Sequence, residues 1–245
     1  KLSCVGVIQQ SLEVPQIYSA GVIFDPPIYY DSAAAGTPSS QLPSQPTFTG
    51  NTVIYGMDVP NSDVGAAQED TAGFLVCGYG TGDSWSIGLV WRSLDAGATW
   101  QEISSVSPAC PAGTVDFINS GALSNGEFIL DYSQGIKVTL EDPRMELESV
   151  TYNDLINGSN VAYIGADGRW EVVQYLSATQ PYYASDEWLL TGLLRGRLGT
   201  EWATSLHQSN DVFVLAKEGL FSNYPLSNSA LGQQLVLRGV SPNQN

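Results

Sequence analysis

"SIGLVWRSLDAGATWQEISSV", Ser86 to Val106, governs the fold class. Runs rich in β-branched, aromatic and other apolar residues flank the turn Asp95-Ala96-Gly97, and no helical spacing of apolar positions runs through them. The pattern predicts a β-hairpin closed by a short glycine-containing turn. Within it Asp95 can accept hydrogen bonds from turn N–H groups, Gly97 can supply a positive φ, and Trp100 can pack across the hairpin.

Similar runs recur on both sides. They are "NTVIYGMDV" (Asn51–Val59), "AGFLVCGYG" (Ala72–Gly80), "GEFILDY", "IKVTLED", "NVAYIG", "RWEVVQYL" and "DVFVLA" (Asp211–Ala216). Turns at "SQG", "NGSN" and "ADGR" separate several of them, and 25 Gly with 13 Pro suit short strands joined by many turns. Helical periodicity is scarce. Val150–Ile156 reads as one short helix ending at "NG", where glycine accepts the left-handed conformation. The expected fold is mainly β: two β-rich lobes, sandwich or barrel-like, with a few short helices. A break at "SPACPAGT" divides them. This gives an N-terminal strand and Pro/Ser-rich segment at 1–50, a lobe carrying the hairpin at 51–112, and a second lobe at 113–245.

Composition narrows the function classes. Nine Lys and Arg stand against 25 Asp and Glu in 245 residues, a net charge of −16, which disfavours nucleic acid and anionic membranes as partners. The acids are spread along the chain and read as solvated surface charge, with Ca²⁺ binding as the alternative. No apolar run is long enough to span a bilayer as a helix. The chain starts at Lys1 without the zones of a signal peptide, so it is expected to be a piece of something longer. Cys4, Cys77 and Cys110 and the single His207 form no zinc-ligand spacing, so no metal or other cofactor is expected. Cys77 reads as a small buried hydrophobe, and a Cys4–Cys110 disulfide has the support of neither spacing nor compartment.

Ser93, Asp95, Gly97 and Trp100 have the Ser-x-Asp-x-Gly-x-x-Trp spacing of an Asp-box, a turn that recurs in sialidases and other glycan-handling propellers. A propeller needs several blades, each with its own copy, and there is one copy here. The arginines form no cluster of three for a sialic acid carboxylate. One histidine, with neither G-x-S-x-G nor H-E-x-x-H, leaves serine or zinc hydrolysis without its parts. No catalytic residue is assigned, and the turn reads as structural.

The strongest signal is "WLLTGLLRGRLGTEWATSLHQSNDVFVLAKEG", Trp188 to Gly219. An apolar strand runs into Arg195-Gly196-Arg197, then Gly199, Thr200 and Glu201. Two of the nine basic residues share one glycine-rich turn, so Arg195 or Arg197 is expected to pair with Glu201 and to bond loop carbonyls; an anion site is the alternative. "LLRGRLGTE" closely resembles a segment of the tail-tip or baseplate-hub proteins of tailed phages and gene transfer agents, sometimes called megatron proteins. "AGFLVCGYG", "GLVWRSLDAGATWQEI" and "ESVTYNDLINGSNVAYIGADGRWEVVQYLSATQ" resemble further stretches of that family, so the likeness covers about Asp58 to Gly219. Ala96 stands where the family more often has Gly, and Lys1–Gly50 matches no part of it.

The resemblance implies a non-enzymatic structural component of the virion, made in the host cytoplasm and linking tail tube to receptor-binding parts. It implies a homotrimer, other tail or baseplate proteins as partners, and a role in host attachment. The hydrolase-like barrel known in such proteins is not in this segment, so its activity does not carry over. The alternative is a carbohydrate-binding or glycoside-hydrolase-associated module using a host-surface glycan, suggested by the Asp-box, 12 Tyr and 6 Trp. The placement of Trp85, Trp91 and Trp170 discriminates between the two.

Overall fold

The computed structural model describes residues 51–59, 73–82, 85–118, 129–166, 168–181, 186–217, 219–227 and 235–242. The readings for 1–50 and Cys4 lie outside them. The described chain is mostly β, built as a sandwich of two sheets with a barrel packed against it. The strands are β1 (Thr52–Met57), β2 (Gly73–Gly80), β3 (Gly88–Ser93), β4 (Gln101–Val106), β5 (Ala112–Ile118) and β6 (Gly135–Leu140). After the helix α1 (Tyr152–Ile156) come β7 (Val161–Gly165), β8 (Glu171–Thr179), β9 (Glu187–Arg197), β10 (Asp211–Ala216), β11 (Ser222–Pro225) and β12 (Val236–Val240).

One sheet runs β1-β2-β11, the other β12-β3-β4, and β10-β5-β6-β9-β8-β7 close into a barrel with every pair antiparallel. Closure removes the open edges that would otherwise invite pairing with another chain. The hairpin is present as β3 and β4, with a bulge at Val90/Trp91.

Alternation of side chains explains the layering. On β2, Phe74 and Val76 face Val90, Val106 and Leu237 of the second sheet, while Leu75, Cys77 and Tyr79 face the outside of the barrel at Tyr163, Val172 and Val214. Both faces of β2 are therefore covered, which is why it reads as an unbroken apolar run. The barrel interior is filled by Val115, Ile136, Val138, Ile164, Val173, Tyr175, Leu190, Leu193 and Phe213. Helix α1 begins with a reciprocal cap: Asp154 N–H donates to Thr151 Oγ1 and Thr151 N–H to the Asp154 carboxylate. It ends at Asn157, followed by Gly158 at φ +98°.

Three expectations are corrected. The barrel ends at β10, and β11 and β12 return to pair with β2 and β3, so residues after 216 complete the first lobe instead of extending the second. The described part of "GEFILDY" is not a strand: Asp131 makes a single bridge to Leu193. Arg195 and Arg197 lie in β9 and not in a turn, because Gly192 and Gly196, at φ +64° and +63°, let the strand carry irregularities without breaking.

Candidate functional site

The inward rows of four barrel strands end in polar residues at one mouth of the barrel. Glu171 continues the row of Val173 and Tyr175, Asp211 that of Phe213, Arg195 that of Leu193, and Gln134 precedes the row of Ile136 and Val138. A strand that stayed apolar there would leave the barrel mouth greasy; these residues close it with hydrogen bonds instead.

Arg195, 1% exposed, is the centre. Its Nε and Nη2 donate to Glu171 Oε1 and Oε2 at 3.0 and 2.6 Å, its Nη1 to Gln134 Oε1 at 2.7 Å, and its Nη2 also to Thr204 O at 3.0 Å. Glu171 accepts as well from Gly196 N–H at 2.7 Å. His207 bridges onward, with Nε2 2.5 Å from Glu171 Oε2 and Nδ1 3.0 Å from Asp211 Oδ2. Asp211 is gripped by both Nη atoms of Arg169 and by Gln208 N–H. The result is a continuous chain Gln134–Arg195–Glu171–His207–Asp211–Arg169, in which two guanidinium forks hold two carboxylates.

Burial alone would raise the Glu171 carboxyl, but hydrogen bonds from His207 and Arg195 outweigh it and hold Glu171 below the usual carboxylate range. Asp211 is likewise lowered: burial pushes it up, and Arg169, Gln208 N–H and His207 pull it further down. A carboxyl whose folded value is depressed adds stability above its unfolded value and loses it as pH falls through the folded one. The fold is therefore expected to hold its stability above about pH 4–5 and to lose it progressively below. A urea midpoint followed from neutral pH downward checks this, and Glu171→Gln should flatten the acid limb.

Both ring nitrogens of His207 face carboxylates, so neither is left to activate a hydroxyl or thiol, and a general base needs a nitrogen open to substrate. Chemically the chain locks geometry. Among the described residues no group of three or more His, Cys, Asp and Glu is arranged to hold a metal, and no helix is long and apolar enough to cross a membrane.

The other residues singled out in sequence lie at and after the end of β9. Of the two arginines expected to be bonded to Glu201 or to loop carbonyls, Arg195 is buried and donates to the carbonyl of Thr204, and the carboxylate that holds it is Glu171 from the neighbouring strand; Glu201 is exposed and opens a 3-10 turn, Glu201–Ala203. Arg197 Nε donates to Gln174 Oε1 at 3.1 Å, and Gln174 Nε2 ties down α1 through Leu155 O at 2.7 Å. Thr200 is buried, accepting from Val172 N–H and donating to Arg197 O, and Gly199 supplies φ +80° beside it. Sequence reading missed Glu171, Asp211 and Arg169. The available signal was an acid set directly against an apolar strand in "WEVVQYL" and again in "NDVFVLA".

The Asp-box residues lie in the sandwich. Ser93 Oγ donates to Asp95 Oδ1 at 2.6 Å and accepts from Gly97 N–H at 2.8 Å, while Thr99 donates to Asp95 through N–H and Oγ1 at 2.9 and 2.6 Å. Those bonds from Ser93 and Thr99 hold the exposed Asp95 carboxyl down at about 2. Trp100 lies under the Arg238 guanidinium, 5.6 Å from its ring centre. Ala96 sits at φ +56°, a conformation that strains an L side chain. Ala96→Gly is expected to stabilise the hairpin lobe by about 0.5–1 kcal/mol, the strain relief exceeding the extra entropy of the unfolded glycine. A fall in urea midpoint would contradict it.

With this geometry in place, the comparison with known families can be set beside it. Residues 112–214 match the family model Rcc01698-like, C-terminal. The matched segment begins with the first residue of β5 and ends within β10, so the Rcc01698-like stretch and the barrel coincide, and both ends of the charge chain fall inside it. No curated protein matches the chain.

Proposed function

We propose that the chain is a non-enzymatic structural component of a phage or gene-transfer-agent tail tip or baseplate hub, linking the tail tube to receptor-binding parts. The observation that carries this reading is the placement of the Rcc01698-like match on the barrel, in the same segment whose "LLRGRLGTE" resembles tail-tip proteins. In that motif Arg195 is wholly engaged in closing the barrel mouth, as a shape-holding part requires. The three tryptophans that discriminate against a glycan-binding module are engaged in the fold, while Tyr132, Tyr152 and Trp202 stay exposed. Trp170 is 7% exposed, Trp85 donates to Thr52 Oγ1 at 2.9 Å, and the Trp91 indole nitrogen is buried.

The test is physical. Antibody labelling of purified particles should place this chain at the distal end of the tail, and a strain lacking it should assemble no particle competent for attachment. Its absence from particles would overturn the reading. The chain is also expected to turn over no sialoside, capsule polysaccharide, ester or peptide. Hydrolysis abolished by replacing a single acid would favour the carbohydrate-active alternative.

A further inference from the structure

We propose that Cys77 and Cys110 form a latent disulfide, an oxidisable pair that, once joined, staples the segment leading into the barrel to the sandwich. Alternation along β2 turns Cys77 toward the barrel with Leu75 and Tyr79, and Cys110 packs in that same apolar layer. Cys110 N–H donates to Gly78 O at 2.8 Å, which docks its backbone on the residue next to Cys77. Both thiols are free and 0% exposed. The Cys110–Gly78 backbone bond and the shared apolar layer bring the two cysteines together in one part of the core, where the Cα and Cβ separations decide whether a bridge can close. Burial pushes the Cys77 thiol up, and contact with Cys110 pushes it the same way, which keeps Cys77 protonated until exchange occurs.

Access comes from one side. Pro108, Ala109 and Pro111 border a cleft of about 960 Å³ between α1 and the end of β10, so both neighbours of Cys110 line it. The Cys110 thiol points to Leu215 O at 3.4 Å, and Leu215 lines the same cleft. Opening of this short segment would present Cys110 first. Its thiolate then attacks a small-molecule disulfide, releasing one equivalent of thiol and leaving a mixed disulfide. Cys77, deprotonated, attacks the Cys110 sulfur and releases the second equivalent. Two protein thiols lose two protons and two electrons, and the oxidant takes up both as two thiols.

The test uses the full chain carrying Cys4→Ser, incubated with oxidised glutathione at mildly alkaline pH, with and without sub-denaturing urea. Remaining thiols are then blocked and the chain is digested with trypsin. Cleavage after Arg92 puts Cys77 and Cys110 in different peptides, so a bridge joins them and reduction separates them. The expected result is a predominant joined peptide that Cys110→Ser abolishes, with Tm raised by roughly 5–10 °C over the reduced protein, since the bridge closes a loop of about thirty residues. Blocked thiols at both positions, glutathione adducts without a bridge, or a bridged protein that melts below the reduced one would each overturn the proposal.

Discussion

Arg195→Met is expected to destabilise the protein by about 3–5 kcal/mol, the range for stripping one partner from a buried ion pair. The loss has three parts. Glu171, 0% exposed, keeps a charge that no guanidinium neutralises; Gln134 loses a donor to its side-chain oxygen; and Thr204 O loses the N–H that pins the loop after β9. Arg195→Lys should recover only part of this, because one ammonium cannot reproduce a fork that serves two carboxylate oxygens, an amide and a carbonyl. Tm should fall by roughly 6–20 °C for Met. The pair is best read in a cycle with Glu171→Gln, where the double variant should lose less than the sum of the singles. A loss below about 1 kcal/mol for Arg195→Met would mean that the barrel mouth does not depend on its charge chain.

Gly165→Ala is expected to be comparably severe, about 3–5 kcal/mol, through backbone instead of charge. Gly165 ends β7 at φ +144°, and a Cβ there would stand 2.5 Å from Arg169 O and 3.1 Å from Trp170 Cα. Neither is the far end of a flexible side chain, so the turn itself must shift. That turn delivers Arg169 to Asp211 and Glu171 to Arg195, so the damage should spread into the network. Gly168→Ala is the control: φ is +75°, but a Cβ meets nothing within 4 Å, so strain alone remains, about 1–2 kcal/mol. Equal losses for the two variants would show that the clash is relieved cheaply.

What was legible in the sequence was local. The Ser86–Val106 hairpin follows from residues within twenty positions of one another, and the short helix at Val150–Ile156 from the Asn157-Gly158 that ends it. Long-range pairing was not legible. Arg195 stood out as a rare cation beside glycines and was read into a turn, but Glu171 lies 24 residues away in sequence and becomes its neighbour only when β8 pairs with β9. Barrel closure needs β10 to pair with both β5 and β7, and no periodicity encodes that choice. The same blindness extended the second lobe to 245, because nothing close in sequence to Val236–Val240 says that its partner is β3.

The return of β11 and β12 to the sandwich has a consequence for how such a chain can change. The barrel leaves and rejoins the sandwich at one seam: Ala112 pairs with Val214, and Leu215 N–H donates to Pro111 O at 2.9 Å. A length of chain whose two ends lie side by side behaves, genetically, as a cassette. Recombination between its flanks could replace everything from β5 to β10 with another unit of similar end spacing, and the host sheets would register the exchange at that single seam. The family match starts at the first residue of β5 and stops within β10, at that same seam.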